Sequence, residues 1–176
     1  NRQNSFRFKP LFIRESNVRI GVLSDTHLRE CTAELSELFS GPFADVEMVL
    51  HSGDITELAV LEGLKVKEIY AVFGNMDSPA VRQALPYKRT LQMGRFRIGL
   101  IHGWGAPQGI EDRIAREFEG VDCIVFGHTH TPSQVQKAGI LFFNPGSFGR
   151  GWVQSQRSVG ILDVTDCRIN GEIICL

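Results

Sequence analysis

The sequence predicts an α/β fold in four layers, α/β/β/α, in which two mixed sheets pack face to face and helices cover both outer faces. In the first half of the chain, short segments rich in Val and Ile alternate with helical patterns. In the second half, strand patterns follow one another as hairpins. A length of 176 residues with 43% hydrophobic residues suits one globular domain that can bury a full core.

The first half is expected to supply the parallel strands. Short β-branched runs predict strands at residues 18–23, 46–50, 69–73 and 121–126. Apolar residues at helical spacing predict core-facing helices of about two to four turns between them. The stripes are Leu35, Leu38 and Phe39, then Ile55, Leu58 and Leu61, then Ile110, Ile114, Ala115 and Phe118.

The remaining strands are expected to lack helices between them. They are predicted at residues 87–93, 96–101, 141–143, 159–164 and 169–175. Gly94-Arg95 and Thr165-Asp166 have the composition of hairpin turns. Residues 1–17 mix basic and apolar positions and predict a peripheral leader ahead of a single domain, residues 18–176.

Charge and cysteine content argue against several classes of function. Lys and Arg number 19 against 20 Asp and Glu, so no global positive field favours duplex nucleic acid or an anionic membrane. No apolar stretch approaches the ~20 residues of a membrane span. The four cysteines form no Cys-x-x-Cys pair, which favours a reducing cytoplasm over a disulfide framework or a thiolate zinc site. A small ligand is therefore expected.

Polar residues follow five of the predicted strands where each strand ends. They lie in the segments Asp25-Thr26-His27, Gly53-Asp54, Gly74-Asn75-Met76-Asp77, His102-Gly103 and Gly127-His128-Thr129-His130. Ligands of open α/β sheets bind outside the carboxyl ends of the strands, so these segments are expected to converge. Four of the five histidines in the chain fall in them, which is the strongest functional signal in the sequence.

The predicted metal ligands are Asp, Asn and His side chains, without a thiolate: Asp25, His27, Asp54, Asn75, His102, His128 and His130. Such a set suits Mn²⁺, Fe, Zn²⁺ or Ni²⁺ and selects none of them. Seven ligands are too many for one catalytic ion with an open position, but they suit two ions about 3.5–4 Å apart that share a carboxylate. Each residue alone is more often a hydrogen-bonded loop residue, whereas the seven together favour a dimetal site.

For several other polar residues, a purely structural role competes with a functional one. His51 lies inside a strand end, where a hydrogen-bonded role behind the ligands is favoured over ligation. The segment Asn144-Pro145-Gly146-Ser147 suits a type II turn as well as a functional loop. Arg150 is kept as a candidate substrate contact, although an Arg and a Trp in a loop, as at 150 and 152, more often serve packing or surface. Residues expected to be a solvated helix start, without chemistry, are Glu111, Asp112 and Arg113.

The ordered segments resemble the signature of the calcineurin-like metallophosphoesterases. That signature reads Asp-x-His, Gly-Asp, Gly-Asn followed by a variable residue and an acid, a lone His, and Gly-His-x-His, and all five motifs occur here in order. The match runs over residues 18–147, and the chain looks closest to the small stand-alone YfcE-like phosphodiesterases. The resemblance implies one ion on Asp25, His27, Asp54 and His130 and a second on Asp54, Asn75, His102 and His128.

The resemblance also implies a reaction. A metal-bound hydroxide attacks phosphorus in line with the leaving group, while the ions and Asn75 neutralise the phosphoryl oxygens. The implied catalytic residues are Asp54, Asn75 and His128, with Asn75 also contacting substrate. Asp77 is expected to orient either local structure or substrate, and Arg150 is a substrate-contact candidate from its residue type alone. Two transition-metal ions per chain are expected, with Mn²⁺ first and Fe, Zn²⁺ or Ni²⁺ as alternatives.

One position departs from the monoester-cleaving branch of the family. Where that branch carries a His able to protonate the leaving oxygen, this chain has Met76, whose thioether cannot donate a proton. A small phosphodiester is therefore the expected substrate. The alternatives are a protein-binding scaffold, as in the retromer subunit of this fold, and a nuclease. Apolar residues near both ends leave a homo-oligomer open.

Overall fold

Ten strands in the described residues form two five-stranded sheets in the computed structural model, which describes residues 17–64, 68–149 and 156–176. The elements in chain order are β1 (Val18–Leu23), α1 (Ala33–Glu37), a 3₁₀ turn (Leu38–Ser40), β2 (Met48–His51), α2 (Leu58–Glu62), β3 (Ile69–Ala71), α3 (Pro79–Ala84), β4 (Lys88–Met93), β5 (Phe96–Ile101), α4 (Ile110–Ala115), β6 (Cys123–Val125), β7 (Ser133–Lys137), β8 (Ile140–Asn144), β9 (Ser158–Val164) and β10 (Ile169–Cys175). Residues 1–16 of the predicted leader lie outside the described residues.

Both sheets are mixed, as the sequence predicts. The first sheet has the strand order β10-β9-β1-β2-β3, with parallel pairing among β1, β2 and β3 and antiparallel pairing of β9 with β1 and β10. The second has the order β4-β5-β6-β8-β7, with parallel pairing among β5, β6 and β8 and antiparallel edges. The parallel strands therefore occupy the centre or one side of each sheet, and their carboxyl ends line up.

Three apolar clusters define the four layers. Side chains such as Ile20 and Val125 meet between the two sheets. On the outer face of the first sheet, residues of α1, α2 and α3 pack together with sheet residues. On the outer face of the second sheet, Ile110 and Ile114 of α4 pack with Ile124. Adjacent residues such as Ile124 and Val125 lie on opposite faces of the sheet because strand side chains alternate. The three clusters confirm the predicted α/β/β/α architecture.

The helices are shorter than the sequence predicts. Each of the four spans only five or six residues, so the expectation of about two to four turns is wrong. The stripe residues Leu38 and Phe39 lie in the 3₁₀ turn, and Phe118 lies beyond the end of α4. In the described ranges, no helix combines the length and the apolar content that crossing a bilayer requires.

Two elements were not predicted. The helix α3 starts with Pro79 at its first turn, and the Val81 N–H donates to the side chain of the N-cap Ser78. The strand β7 has mostly exposed polar residues and pairs with β8 at the sheet edge. The hairpin at Gly94-Arg95 is confirmed, whereas the second turn is longer than predicted, because β9 ends at Val164 and β10 begins at Ile169.

Candidate metal centre

The five predicted ligand segments lie together at the carboxyl ends of β1, β2, β3, β5 and β6. Within the first sheet, the Asp25 N–H donates to the carbonyl of Gly53, with 3.0 Å between nitrogen and oxygen. Across the sheets, Nδ1 of His102 lies 2.8 Å from the carbonyl oxygen of Ser52. The His128 N–H donates to Oδ2 of Asp25 at 3.1 Å. The predicted convergence on one site is therefore present in the fold.

Five of the predicted ligand residues have left-handed backbone conformations. Their φ angles are 51° at Asp25, 50° at His27, 53° at Asp54, 69° at His128 and 56° at His130. Residues other than glycine rarely adopt this region, at a cost of roughly 1 kcal/mol or more each, and they do so mainly where surrounding structure imposes it. Such local strain clusters at functional sites, which supports the assignment of this edge as the site.

The first group of ligand atoms belongs to Asp25, His27, Asp54 and His130. One ligand atom from each residue lies within 4.8 Å of all the others, so the group could hold a metal ion. Nε2 of His27 is 3.3 Å from Nε2 of His130. It is also 3.8 Å from Oδ1 of Asp25 and 3.9 Å from Oδ2 of Asp54. Two carboxylates and two imidazoles suit a divalent transition-metal ion.

Asp25 provides a direct check on whether a cation fits this group. Its Oδ2 accepts hydrogen bonds from the Ser24 hydroxyl at 2.5 Å and from the His128 N–H at 3.1 Å. Its Oδ1, in contrast, is the one buried side-chain oxygen or nitrogen of the described residues without a well-directed hydrogen bond, although Nε2 of His130 lies 3.1 Å away. A buried carboxylate oxygen without such a bond is costly. A bound cation would remove that cost, so the residues present fit a metal.

The second group shares Asp54 with the first and adds Asn75, His102 and His128. Oδ1 of Asn75 is 3.1 Å from Nε2 of His102 and 3.0 Å from Nδ1 of His128. Nε2 of His102 is 3.4 Å from Oδ2 of Asp54. The structure thus brings all seven predicted ligands into two groups joined at one carboxylate, while ligation itself stays a prediction.

Backbone carbonyls select the tautomers of the two histidines in the second group. Nδ1 of His102 faces the Ser52 carbonyl at 2.8 Å, and Nε2 of His128 faces the Gly105 carbonyl at 2.9 Å. A carbonyl oxygen can only accept, so these two nitrogens carry the ring protons. The opposite nitrogens, Nε2 of His102 and Nδ1 of His128, therefore present lone pairs to the site.

The ionisable groups of the site shift one another's pKa. Burial acts to raise the pKa of Asp54, but the hydrogen bond and charge of His102 outweigh it and place that pKa below its usual value. Burial acts to lower the pKa of His102, and the carboxylates of Asp54 and Asp25 outweigh it, so that pKa is raised. The Asp25 carboxylate also raises the pKa of His130. A proton on the ligating nitrogen of either imidazole must leave before a metal binds, while the proton on the other nitrogen stays.

His51 lies behind the ligands, as the sequence predicts. Its Nδ1 accepts the Gly53 N–H at 3.2 Å, so its Nε2 carries the proton and donates to the Thr26 hydroxyl at 3.2 Å. The side chain is fully buried, and burial lowers its pKa from 6.5 to about 3. It therefore connects the loops after β1 and β2 as a neutral imidazole.

Lowering the pH should destabilise the metal-free protein through His51. The unfolded chain takes up a proton near pH 6.5, whereas the native state keeps His51 neutral down to about pH 3. Between these values the unfolded state binds more protons, so His51 alone should cost about 1.4 kcal/mol of unfolding free energy per pH unit. Urea titrations above about pH 4.5, where most carboxylates stay ionised, should show a shallower slope for His51→Gln. An unchanged slope would contradict this role.

Asp77 is predicted to contact substrate, but it is almost fully buried under the loops. Its Oδ1 accepts the Thr56 N–H at 2.6 Å. Its Oδ2 accepts the N–H groups of Gly74 at 2.7 Å and Asp54 at 3.2 Å. Both oxygens are occupied by backbone, so Asp77 positions the loops of Asp54 and Asn75, which fits it better than a contact with substrate.

The segment 144–149 combines the predicted turn with hydrogen bonds to the loops that carry the metal-ligand candidates. The side-chain amide of Asn144 donates to the Gly127 carbonyl at 2.9 Å, and the Ser147 hydroxyl donates to the Asp25 carbonyl at 2.9 Å. Gly146 has φ +83°, as a type II turn requires. The next predicted contacts, Arg150 and Trp152, lie outside the described residues.

Arg113 is a positioning residue that the sequence did not reveal. Predicted to be solvated, it donates instead to three carbonyls of one loop: to Trp104 through Nε at 3.2 Å, to Gln108 through Nη1 at 2.9 Å, and to Ala106 through Nη2. The same loop carries the Gly105 carbonyl that orients His128. A single Arg at a helix start gives no sequence signal for such a role.

Replacing Arg113 by Met should lower kcat/KM for a phosphoester about 10- to 100-fold, because residues that orient metal ligands have effects of that size. The signal of the His128 Nε2 proton in NMR spectra should shift or broaden, since its carbonyl acceptor loses support. Arg116→Met is the control, because Arg116 is exposed on the same helix end. An unchanged His128 signal in Arg113→Met would contradict the positioning role.

Known proteins resemble this chain in sequence or in fold. A probable metallophosphoesterase of Methanocaldococcus jannaschii is 39% identical over 140 residues, which is 77% of this chain and 71% of that protein. The structure of vacuolar protein sorting 29 from Cryptosporidium parvum covers 92% of this chain and 99% of its own, with a TM-score of 0.70 and 24% identity. The structure of a novel archaeal phosphodiesterase covers 90% of this chain and 100% of its own, with a TM-score of 0.70 and 22% identity. These two likenesses concern the fold.

The sequence pattern identifies the family directly. The calcineurin-like phosphoesterase superfamily domain matches residues 18–167, which include every predicted metal ligand and the strands that carry them. The chain therefore belongs to the calcineurin-like phosphoesterase superfamily.

Proposed function

We propose that the protein is a dimetal phosphodiesterase that hydrolyses small phosphodiesters. The observation that carries this proposal is the pair of ligand groups joined at Asp54, with Oδ1 of Asp25 buried without a well-directed hydrogen bond, 3.1 Å from Nε2 of His130 and 3.8 Å from Nε2 of His27. Membership in a phosphoesterase family supports hydrolysis of a phosphate ester. The diester preference rests on the residues next to the site.

Asp25, His27, Asp54 and His130 would hold one ion, and Asp54, Asn75, His102 and His128 the other. Bound there, two divalent transition-metal ions supply an activated water and polarise the phosphoryl group. The ligand types favour Mn²⁺, Fe, Zn²⁺ or Ni²⁺, and we propose Mn²⁺ as the first choice. The free thiols of all four cysteines suit a reducing cytoplasm.

Asn75 is placed to bind the substrate as well as a metal. Its Oδ1 lies beside the lone-pair nitrogens of His102 and His128, and if the three bind one ion, the amide nitrogen of Asn75 is left to donate to a phosphoryl oxygen. Arg82 holds the Asn75 loop, because its Nη2 donates to the Asn75 carbonyl at 2.6 Å. A donor fixed in this way stabilises the negative charge that grows on phosphoryl oxygens in the transition state.

Met76 supports the diester preference. Its side chain is 57% exposed beside Asn75, at the position where a His could protonate a leaving oxygen. Its backbone N–H donates to Oδ1 of Asp54 at 2.7 Å, so the residue is tied to the ligand groups. Without a proton donor at this position, activated diesters should react much faster than esters with basic leaving groups.

Chelation followed by metal addition tests the proposal. Metal-free protein should retain its circular dichroism spectrum but lose hydrolysis of bis(p-nitrophenyl) phosphate, because the core is large enough to stand without metal. Mn²⁺ should restore turnover, and p-nitrophenyl phosphate, a monoester with the same leaving group, should be cleaved more slowly. Faster cleavage of the monoester would overturn the diester preference. If folded, metal-loaded protein cleaves no phosphate ester, the scaffold alternative replaces the enzyme.

A further inference from the structure

Large apolar side chains occur in the segments that carry the second ligand group: Phe73 and Met76 flank Asn75, Trp104 follows His102 by two residues, and Tyr87 packs with both rings. We call Phe73, Met76, Tyr87 and Trp104 the aromatic rim. Five large hydrophobic side chains are exposed in the described residues, and three belong to the rim: Met76 at 57%, Tyr87 at 40% and Trp104 at 37%. Exposure of such side chains together at the edge of a polar site suggests a ligand surface, whereas isolated ones need no explanation.

The rings of the rim form a continuous row. The ring centroids of Phe73 and Tyr87 are 5.8 Å apart, and those of Tyr87 and Trp104 are 6.3 Å apart. The planes are tilted by 49° and 46°, so the row presents both faces and edges rather than a closed stack. Aromatic surfaces of this kind bind planar rings by stacking or edge-to-face contact.

Both ends of the rim are attached to the ligand groups. Met76 donates its backbone N–H to Oδ1 of Asp54, and Trp104 follows His102 by two residues. The residue after Trp104, Gly105, gives its carbonyl to Nε2 of His128. A phosphate held at the second ligand group would therefore place one of its ester groups next to the rim.

Hydrogen bonds hold the rim in place. The Trp104 carbonyl accepts from Nε of Arg113 at 3.2 Å. The Phe73 N–H donates to the Pro86 carbonyl at 3.1 Å, which joins Phe73 to the chain just before Tyr87. The Arg82 guanidinium lies 5.6 Å from the centre of the Phe73 ring. A surface that is already ordered binds a ring with little entropy cost.

We infer that the aromatic rim is a binding subsite for a planar aromatic ester group of the substrate, such as a nucleobase or a simple aryl ring. The inference rests on the proposed phosphodiesterase function and adds the substrate class. In the reaction, the bond between phosphorus and one ester oxygen breaks, a bond from phosphorus to the oxygen of water forms, and the protons of water end on the leaving oxygen and in solvent. The rim takes no part in these steps and acts by holding an ester group.

Binding of phosphate monoesters to the Mn²⁺-loaded protein tests the subsite apart from turnover. Isothermal titration calorimetry compares methyl phosphate, phenyl phosphate and thymidine 5′-monophosphate, which share the phosphate and differ in the attached group. An aromatic ester should bind about tenfold more tightly than methyl phosphate, the size of one base stacked on an aromatic residue. If phenyl phosphate binds most tightly, the subsite takes a simple aryl group. If thymidine 5′-monophosphate binds most tightly, the subsite takes a nucleobase.

Variants of the rim separate its contribution from that of the metal centre. Trp104→Ala should bring the three affinities within about twofold of one another, while Trp104→Phe should keep the preference. Val135→Ala is the control, because Val135 is 40% exposed on the edge strand β7. Equal affinities in the wild type would overturn the subsite. The subsite would also be overturned if the wild type is a dimer in gel filtration and Trp104→Ala is a monomer. The rim would then be a protein interface.

Failure of the subsite and failure of the proposed function give different results. If methyl phosphate does not bind and no diester is cleaved, the phosphodiesterase proposal fails. If methyl phosphate binds and diesters are cleaved without any aromatic preference, the rim inference alone fails.

Discussion

Asp54→Asn should leave at most one metal ion per chain and lower kcat/KM for an activated diester at least about 10²- to 10³-fold. The reason is the position of Asp54 between the two groups: its Oδ2 is 3.9 Å from Nε2 of His27 and 3.4 Å from Nε2 of His102. An uncharged amide cannot balance two cations, although Asn has nearly the same shape as Asp. Elemental analysis and diester turnover measure the two effects.

The fold of Asp54→Asn should survive, because its side-chain oxygen can still accept the Met76 N–H that Oδ1 accepts in the native protein. The melting temperature of the metal-free variant checks this. Asp163→Asn is the matched control, since Asp163 pairs with Arg19 at 3.3 Å on the partly exposed surface of the first sheet. Two bound ions with unaltered turnover in Asp54→Asn would contradict the shared carboxylate and with it the dimetal site.

Gly74→Ala should abolish most activity without removing any functional group. A Cβ at this position would lie 2.2 Å from Oδ1 of Asp54, 2.6 Å from the Asp54 backbone nitrogen and 2.8 Å from Cδ2 of His102. Because moving backbone atoms out of contact with this Cβ costs much free energy, the loops of Asp54 and Asn75 must separate. A displacement of about 1 Å at a catalytic site can cost 100-fold in rate, and overpacking costs about 1–3 kcal/mol of stability.

Gly139→Ala is the control for Gly74→Ala. Gly139 has φ +81° and open space around its Cα, in the turn between β7 and β8. Alanine there should lower stability by roughly 1 kcal/mol through backbone strain alone. Urea unfolding and diester turnover should therefore show a stability loss in both variants and an activity loss in Gly74→Ala. Wild-type activity in Gly74→Ala would mean that the two loops are not held in contact as described.

The fold class and the ligand segments could be predicted from the sequence because both depend on local patterns. Alternating and continuous apolar runs specify which segments become strands, and parallel strands bring their carboxyl ends to one edge. The residues following those strands, such as Asp54 and His102, were therefore expected at one site, and the structure places them there. The polar edge strand β7 has no such pattern, and its pairing with β8 accounts for its conformation.

The sequence by itself determined the layers, the family and the set of metal-ligand candidates. Only the tertiary structure decided how these residues are held: the left-handed backbone at Asp25 and His128, the Gly105 carbonyl that selects a histidine tautomer, and the three carbonyls bound by Arg113. The same applies to the aromatic rim, whose rings come from separate loops. The physical reason is that a backbone carbonyl or an exposed ring face has no residue-type signature, so its partner is known only when chain segments distant in sequence pack together.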